Sequence, residues 1–473
     1  MNTPSQGRRL AGLAAALLLA GCANMKGIAP EATLHTPPVP GASAQGVAPV
    51  SAEWWREFGD PQLDRLVEQA LRDSPNLGVA QARLRRAQAA ADFADANRRP
   101  SLNGEVDIVR QRFSENSLYP PPLGGAVLNT GTAQLNFSWE LDFFGKNQAA
   151  LEAAVGGARA AQADVAAARI VLAANVAHTY FQLLRVQEQL AVARRTLEQR
   201  EQQLTLVHQR VSAGLDTTLE QRQSEGAIPE ARQQIEALQE QAQTTRNALA
   251  ALVASQDVPA VGSLPAMKDV HLVTALPALP ADLLARRPDI SAARWRVEAA
   301  SQDVKVAKAQ FYPNVNLTAF LGLSTLGLGR LLDLGSEQWG IGPAVRLPIF
   351  SAGLRANLRG KTADLDASIE TYNGAVLEAF HEAGDAVASV QSVERQINEQ
   401  RQAETAAEGA YDIAVQRYRA GLGTFLNVLT AETTVLAQRR LGVDLAARAL
   451  DARVQLYRAL GGGYTADTEV AAH

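Results

Sequence analysis

Apolar residues recur along this chain with two different periods. Over 132–141, Ala133, Leu135, Phe137, Trp139 and Leu141 alternate with Thr132, Gln134, Asn136, Ser138 and Glu140. A period of two with one apolar and one polar face predicts a β-strand. The same alternation predicts strands over 101–110 (Leu102, Val106, Ile108), 314–323 (Val315, Leu317, Ala319, Leu321, Leu323) and 337–347 (Trp339, Ile341, Val345, Leu347). Elsewhere the spacing is seven. It links Val176, Leu183, Leu190, Leu197, Leu204 and Val211; Ile228, Ile235, Ala242 and Leu249; and Leu429, Leu436, Val443, Leu450 and Tyr457. Such spacing predicts helices packed as coiled coils. A further series, Val376, Ala383, Val390, Ile397, Tyr411 and Tyr418, keeps this phase but is broken by Glu404. No proline interrupts Gly145–Gly214 or Gly353–Gly421. Each stretch predicts a helix of ~100 Å at ~1.5 Å per residue.

The pattern occurs twice. Pro75 and Pro288 lie 213 residues apart in similar contexts, as do Pro100 and Pro313. Leu141-Asp142-Phe143-Phe144-Gly145 matches Leu347-Pro348-Ile349-Phe350-Ser351 at an offset of 206, and Gln209–Leu215 matches Gln416–Leu422 at 207. Collinear anchors of this kind predict a two-fold internal repeat. Its halves are 55–255 and 281–462, with 256–280 between them and a tail at 463–473. Within each half the order is helix, strand, strand, very long helix, helix. The first helices are expected over Pro61–Asn97 and Ala281–Gln310, broken near their starts by Pro75 and Pro288. Gly214 and Gly421 suit the left-handed position after a helix. Thr217 or Thr218, and Thr424, suit the cap of the next helix.

Composition narrows the class. The chain of 473 residues has 45 Lys+Arg against 49 Asp+Glu, 47% hydrophobic residues and only 5% aromatic ones. Near-balanced charge argues against a nucleic-acid partner. A single Cys permits neither an internal disulfide nor a Cys-based zinc cluster. The six His lack metal-ligand spacing. No P-loop and no nucleophile motif is present, so no catalytic residue, cofactor or metal is expected and the reading is not an enzyme.

That one Cys closes Leu19-Ala20-Gly21-Cys22, after Arg8, Arg9 and the apolar run Leu10–Ala20. The stretch resembles a bacterial lipobox, with 1–21 as signal peptide and Cys22 as the lipidated residue. Ala23 in place of Asp favours the outer membrane. Residues 22–54, rich in proline and small residues, form a tether. Beyond the signal no run is long and apolar enough for a membrane-spanning helix. The strands, each about ten residues, match the length of membrane β-strands. The loops 113–131 and 324–336 are rich in Gly, the first also in Pro, like the outer loops of such barrels. Four strands cannot close a barrel, since the smallest have about eight, so copies of the chain must share one.

The residues taken together resemble a known family. Leu19–Cys22, Phe58-Gly59-Asp60-Pro61-Gln62-Leu63, Arg287-Pro288-Asp289-Ile290, Phe311-Tyr312-Pro313, Gly342-Pro343 through Phe350, Arg417-Tyr418 with Gly421, and Leu460–Tyr464 are similar to the TolC-like outer-membrane efflux factors, of the NodT lipoprotein type that serves RND pumps. The resemblance implies an α+β membrane protein and a homotrimer. Three chains of four strands would give a twelve-stranded barrel over a periplasmic α-helical cylinder. Segment 256–280 would form part of a belt around that cylinder. The hairpin tips, with Arg210, Gly214, Leu215, Thr218, Arg417, Tyr418, Gly421 and Thr424, would dock a periplasmic adaptor linked to an inner-membrane pump. In the family's pattern acidic residues after the second tip ring the closed aperture. Here Asn427 and Thr430 hold those positions, and Glu432 is the candidate substitute. Glu105, Asp107 and Glu140 would line the pore. The expected function is a passive exit duct for small molecules such as drugs or toxic compounds. A channel for type I protein secretion and a structural coiled-coil lipoprotein are the alternatives.

Overall fold

A computed structural model describes residues 25–34, 50–116, 120–256, 286–350 and 352–465. The signal 1–21, Cys22, most of the tether, nearly all of 256–280 and the end of the tail lie outside the described residues. The chain divides into two compact units. One comprises 1–35, 83–161 and 293–373; the other comprises 36–82, 162–292 and 374–473.

The element order repeats as the sequence predicts. The first half holds α1 (Pro61–Asp73), α2 (Pro75–Ala96), β1 (Ser101–Arg112), β2 (Val127–Leu141), α3 (Lys146–Ser212) and α4 (Thr218–Leu252). The second holds α5 (Pro288–Ala309), β3 (Asn314–Leu326), β4 (Glu337–Arg346), α6 (Ala352–Arg419) and α7 (Phe425–Ala459). The long helices have 67 and 68 residues, and both return helices have 35. The break at Pro75 separates two helices, because Ser74 before it is extended, with ψ 122°. A residue preceding proline is driven out of the helical region in this way.

The four strands form one antiparallel sheet in the order β1-β2-β3-β4. Pairing, not each strand's own pattern, sets their ends. β2 starts at Val127, five residues before its alternation becomes clear, because Val127 pairs with Arg112. β4 stops at Arg346, where it meets the first residue of β3, Asn314; Leu347 has no partner. The register sorts the sheet into two faces. Glu105, Gln134 and Gly322 share one line with Gln338. Leu102, Phe137, Ala319 and Ile341 share another, on the opposite face. The apolar face is open to the surroundings: Val106 is 72% exposed, Trp339 74% and Ile341 70%. Exposed apolar surface of this extent is the signature of an interaction face, not of a water-facing sheet.

In the helical unit a 3₁₀ turn, Trp54–Phe58, packs Trp54 and Phe58 against Phe181 and Tyr457. The Phe58–Leu63 motif has a local explanation. Gly59 takes φ 66° to end the turn, and Asp60 caps α1 by accepting from the Gln62 N–H at 2.8 Å. Asp60 also accepts from the Tyr180 hydroxyl at 2.5 Å, which ties this start to α3. The Arg287–Ile290 and Leu460–Tyr464 motifs meet. Arg287 bonds Asp289 at 2.7 Å, Glu382 at 2.8 Å and the Ala459 carbonyl at 3.2 Å. Beside it Gly461 has φ 84°, and a Cβ there would fall 2.9 Å from the Arg286 carbonyl. Glu404, which breaks the heptad of α6, lies opposite Gly442 of α7; a Cβ on Gly442 would come within 3.0 Å of its Oε2. Contrary to expectation, α3 contains a stretch long and apolar enough to cross a membrane by composition, though 39% of it is buried in the protein.

Candidate functional site

The two hairpin tips are built alike. At the first, the Gly214 N–H donates to Val211 O at 3.0 Å and Leu215 N–H to Arg210 O at 2.9 Å. At the second, Gly421 donates to Tyr418 O at 3.1 Å and Leu422 to Arg417 O at 2.8 Å. Both are Schellman closures, which need a left-handed residue. Gly214 and Gly421 supply it with φ 70° and 74°. Thr217, not Thr218, caps α4, accepting from Leu219 N–H at 3.2 Å in a capping box with Glu220. Thr218 is the first helical residue, and Thr424 caps α7 without a side-chain bond. Leu215 and Leu422 are exposed, and each gains an exposed apolar neighbour one turn on, Leu219 and Leu426. The sequence reading did not single out that second pair; its signal was the i, i+4 spacing of leucines at a tip.

Behind the tips three side chains connect the two hairpins. Arg210 forms a fork to Asp216, 2.8 Å from Nε and 3.3 Å from Nη2. Its guanidinium lies 4.5 Å over the Tyr418 ring. The Tyr418 hydroxyl donates to Asp216. Burial opposes ionisation of Asp216, yet the bonds from Arg210 and Tyr418 outweigh it and hold the carboxyl below its ordinary value. Burial and the Asp216 charge push the Tyr418 phenol up. Asp216 was not singled out from the sequence, where it reads only as a residue of the turn. Arg417 points elsewhere, reaching the Leu422 carbonyl at 3.4 Å from an exposed position.

The three aperture candidates separate. Asn427 and Thr430 are exposed and share one side of α7, about 60° apart at 3.6 residues per turn. Glu432 does not share it. It is 4% exposed and accepts from Arg200 Nε of α3 at 3.0 Å. Arg200 also reaches Glu230 of α4 at 3.1 Å and the Ala227 carbonyl at 2.8 Å. Glu432 is thus engaged in the chain's own packing, apart from the exposed side that carries Asn427 and Thr430.

On the sheet, Glu105 and Asp107 lie on the polar face opposite Gln134 and Thr132. Glu105 accepts from Gln134 Nε2 at 3.2 Å and Asn136 Nδ2 at 2.8 Å. Glu140 shares that face but is neutralised by Lys146 at 2.5 Å. Among the described residues no group of His, Cys, Asp and Glu could hold a metal ion.

The model of the family described as outer membrane efflux protein matches residues 66–255 and 279–462, once in each half. The pyoverdine export outer membrane protein OpmQ of Pseudomonas aeruginosa is 35% identical over 88% of both chains. The multidrug resistance outer membrane protein MdtQ of Escherichia coli O157:H7 is 32% identical over 95% of this chain and 96% of its own. Among solved structures, the outer membrane protein VceC of Vibrio cholerae is 37% identical with a TM-score of 0.83, over 88% of this chain and 100% of that one. Two halves that each carry the family's pattern, and relatives alike over most of the length, place this chain in the outer membrane efflux protein family, the outer-membrane channels through which efflux systems empty.

Proposed function

We propose that three copies of this chain make one exit duct for small molecules. The observation that supports it best is the open sheet. One chain offers four strands, one exposed apolar face and two unpaired edges, on β1 and β4. An open edge in lipid leaves backbone groups without partners, and closure among copies removes it. The apolar face then meets lipid, while Glu105 and Asp107 face a watery lumen. Cys22 carries the lipid that secures the chain to the outer membrane.

Leu215, Leu219, Leu422 and Leu426 give the tips an apolar surface for a periplasmic adaptor, which couples the duct to an inner-membrane pump of the RND type. Asn427 and Thr430 ring the aperture without fixed charge, so the closed pore holds cations weakly. The Arg210–Asp216–Tyr418 cluster braces the closed tip. The duct supplies no energy of its own. The names of OpmQ, a pyoverdine export protein, and MdtQ, a multidrug resistance protein, suggest pyoverdine-like or drug-like cargo.

The test is expression in an efflux-deficient Gram-negative strain together with its adaptor and pump. Restored drug tolerance, detergent-stable trimers and single-channel conductance in a planar bilayer are the expected results. A monomer that is soluble without detergent after Cys22→Ser would overturn the duct.

A further inference from the structure

We propose that the cleft where strands pass into helices is the seat of the chain's own N-terminal lipid. The inference rests on the reading of Cys22 as acylated. The segment that leads away from the anchor is fastened to the fold. Thr33 O accepts from Asn373 Nδ2 at 2.9 Å. The Glu31 and Ala32 N–H groups both donate to Asp366 Oδ1, at 2.9 and 3.0 Å. Lys26 O accepts from Arg355 Nη2 at 3.4 Å. Read backwards, this strap descends α6 from Asn373 toward its first turn. Met25, Ile28 and Ala32 pack against a cluster that includes Val304, Phe311, Leu358 and Leu365.

Met25 thus lies against the start of α6, and only Ala23 and Asn24 separate it from Cys22. Three residues span at most about 10 Å. At the strand-to-helix junction opens a cleft of about 440 Å³, whose wall includes Leu354, a first-turn residue of α6 that packs against the same apolar cluster as Met25. Its other walls include Phe143, Phe144, Tyr312, Leu347 and Phe350. The Phe144 and Tyr312 rings are stacked 4.8 Å apart, so one wall is a continuous aromatic surface. Phe350 is 94% and Phe143 68% exposed, apolar surface with no cover in the chain. Arg346, Asp142 and the Lys146–Glu140 pair, with Gln310 and Asn314, form a polar and charged edge. An apolar cleft with a charged edge fits an acyl chain joined to a polar linkage.

A tethered chain has an advantage over free lipid. A short link raises its local concentration to the millimolar range. The strap fixes the point of delivery through Asp366. The anchor then acts as a wedge against the rim of the sheet as well as a leash.

The experiment feeds cells a photoactivatable diazirine fatty acid, irradiates the full-length protein in its membrane and maps cross-links by mass spectrometry. A Cys22 without label means that the lipidation reading fails and the seat has no occupant. With Cys22 labelled, cross-links to peptides holding Phe143–Phe144, Tyr312 or Phe350 are expected. Asp366→Ala, which releases two strap bonds, should cut them severalfold while labelling of Cys22 stays unchanged. Cross-links confined to membrane lipid or to other peptides would overturn the seat. So would a cleft labelled only by a diazirine phospholipid.

Discussion

Arg200 and Glu432 meet at 3.0 Å, one from α3 in the first half of the repeat and one from α7 in the second. Both side chains are withdrawn from solvent, at 15% and 5% exposure. A pair so placed holds the two hairpins in one register. Removing one partner strands the other charge. Glu432→Ala should destabilise the protein by roughly 3–5 kcal/mol, toward the low side because Glu230 still faces Arg200. Trimer melting in detergent measures it. Asn427→Ala should leave melting unchanged. A Glu432→Ala channel with normal melting and altered ion selectivity would return Glu432 to the aperture.

Asp216 gives the tip a pH dependence. Its carboxyl is held below the ordinary 3.8 by Arg210 and Tyr418, against the opposing effect of burial. A lowered folded value means that the brace is fully present above 3.8 and is lost as pH falls through the lowered value. Conductance of the closed channel should therefore stay flat at neutral pH and rise only in strong acid. Asp216→Asn should leak at neutral pH and lose that acid response. Bilayer recordings between neutral and strongly acidic buffer decide it.

Gly421 is set apart by backbone geometry alone. Nothing lies within 4 Å of a Cβ placed there, but φ is 74°. Gly421→Ala should cost about 1–2 kcal/mol locally, the penalty of the left-handed region. Gly421→Pro does more, since it also removes the N–H that reaches Tyr418 O at 3.1 Å. Efflux should vanish while trimers still assemble, because the change strikes the tip and not the sheet. Drug susceptibility beside gel migration of unheated samples tests this. Full tolerance in the proline variant would refute the role of the tip.

The two sheet faces should respond in opposite ways to charge. Ile341→Arg places a cation on the apolar face and should cost about 2–4 kcal/mol if it sits near the bilayer midplane. Gln338→Arg, on the polar face, should cost little and shift ion selectivity toward anions. Urea titration of barrel folding into lipid vesicles gives the first value and reversal potentials the second. Equal costs would mean that the apolar face does not meet lipid.

Much of the architecture was legible in order. The alternation in 132–141, the heptads from Val176 to Val211 and the repeat offsets are local or near-local signals, and each became an element of the expected kind. Gly214 and Gly421 were legible because a helix that turns back needs a left-handed residue, and glycine accepts it without strain. Strand ends were less legible, since the partner strand decides where pairing stops: Val127 belongs to β2 through Arg112 alone.

The sequence by itself determined the repeat, the helix and strand periods, the turn glycines and the motifs that carry the family resemblance. These depend on spacing along one chain. Only the tertiary structure decided what the charges do. Glu432 looked like a free carboxylate after a tip, and becomes the buried partner of Arg200, 232 residues away. Asp216 looked like a turn residue, and becomes the centre of a cluster with Tyr418, 202 residues away. Glu140 looked like a lumenal charge, and is paired with Lys146. A charge reveals its type in the sequence, but its cost and its use depend on the dielectric around it and on the partner in reach, and both are set by packing.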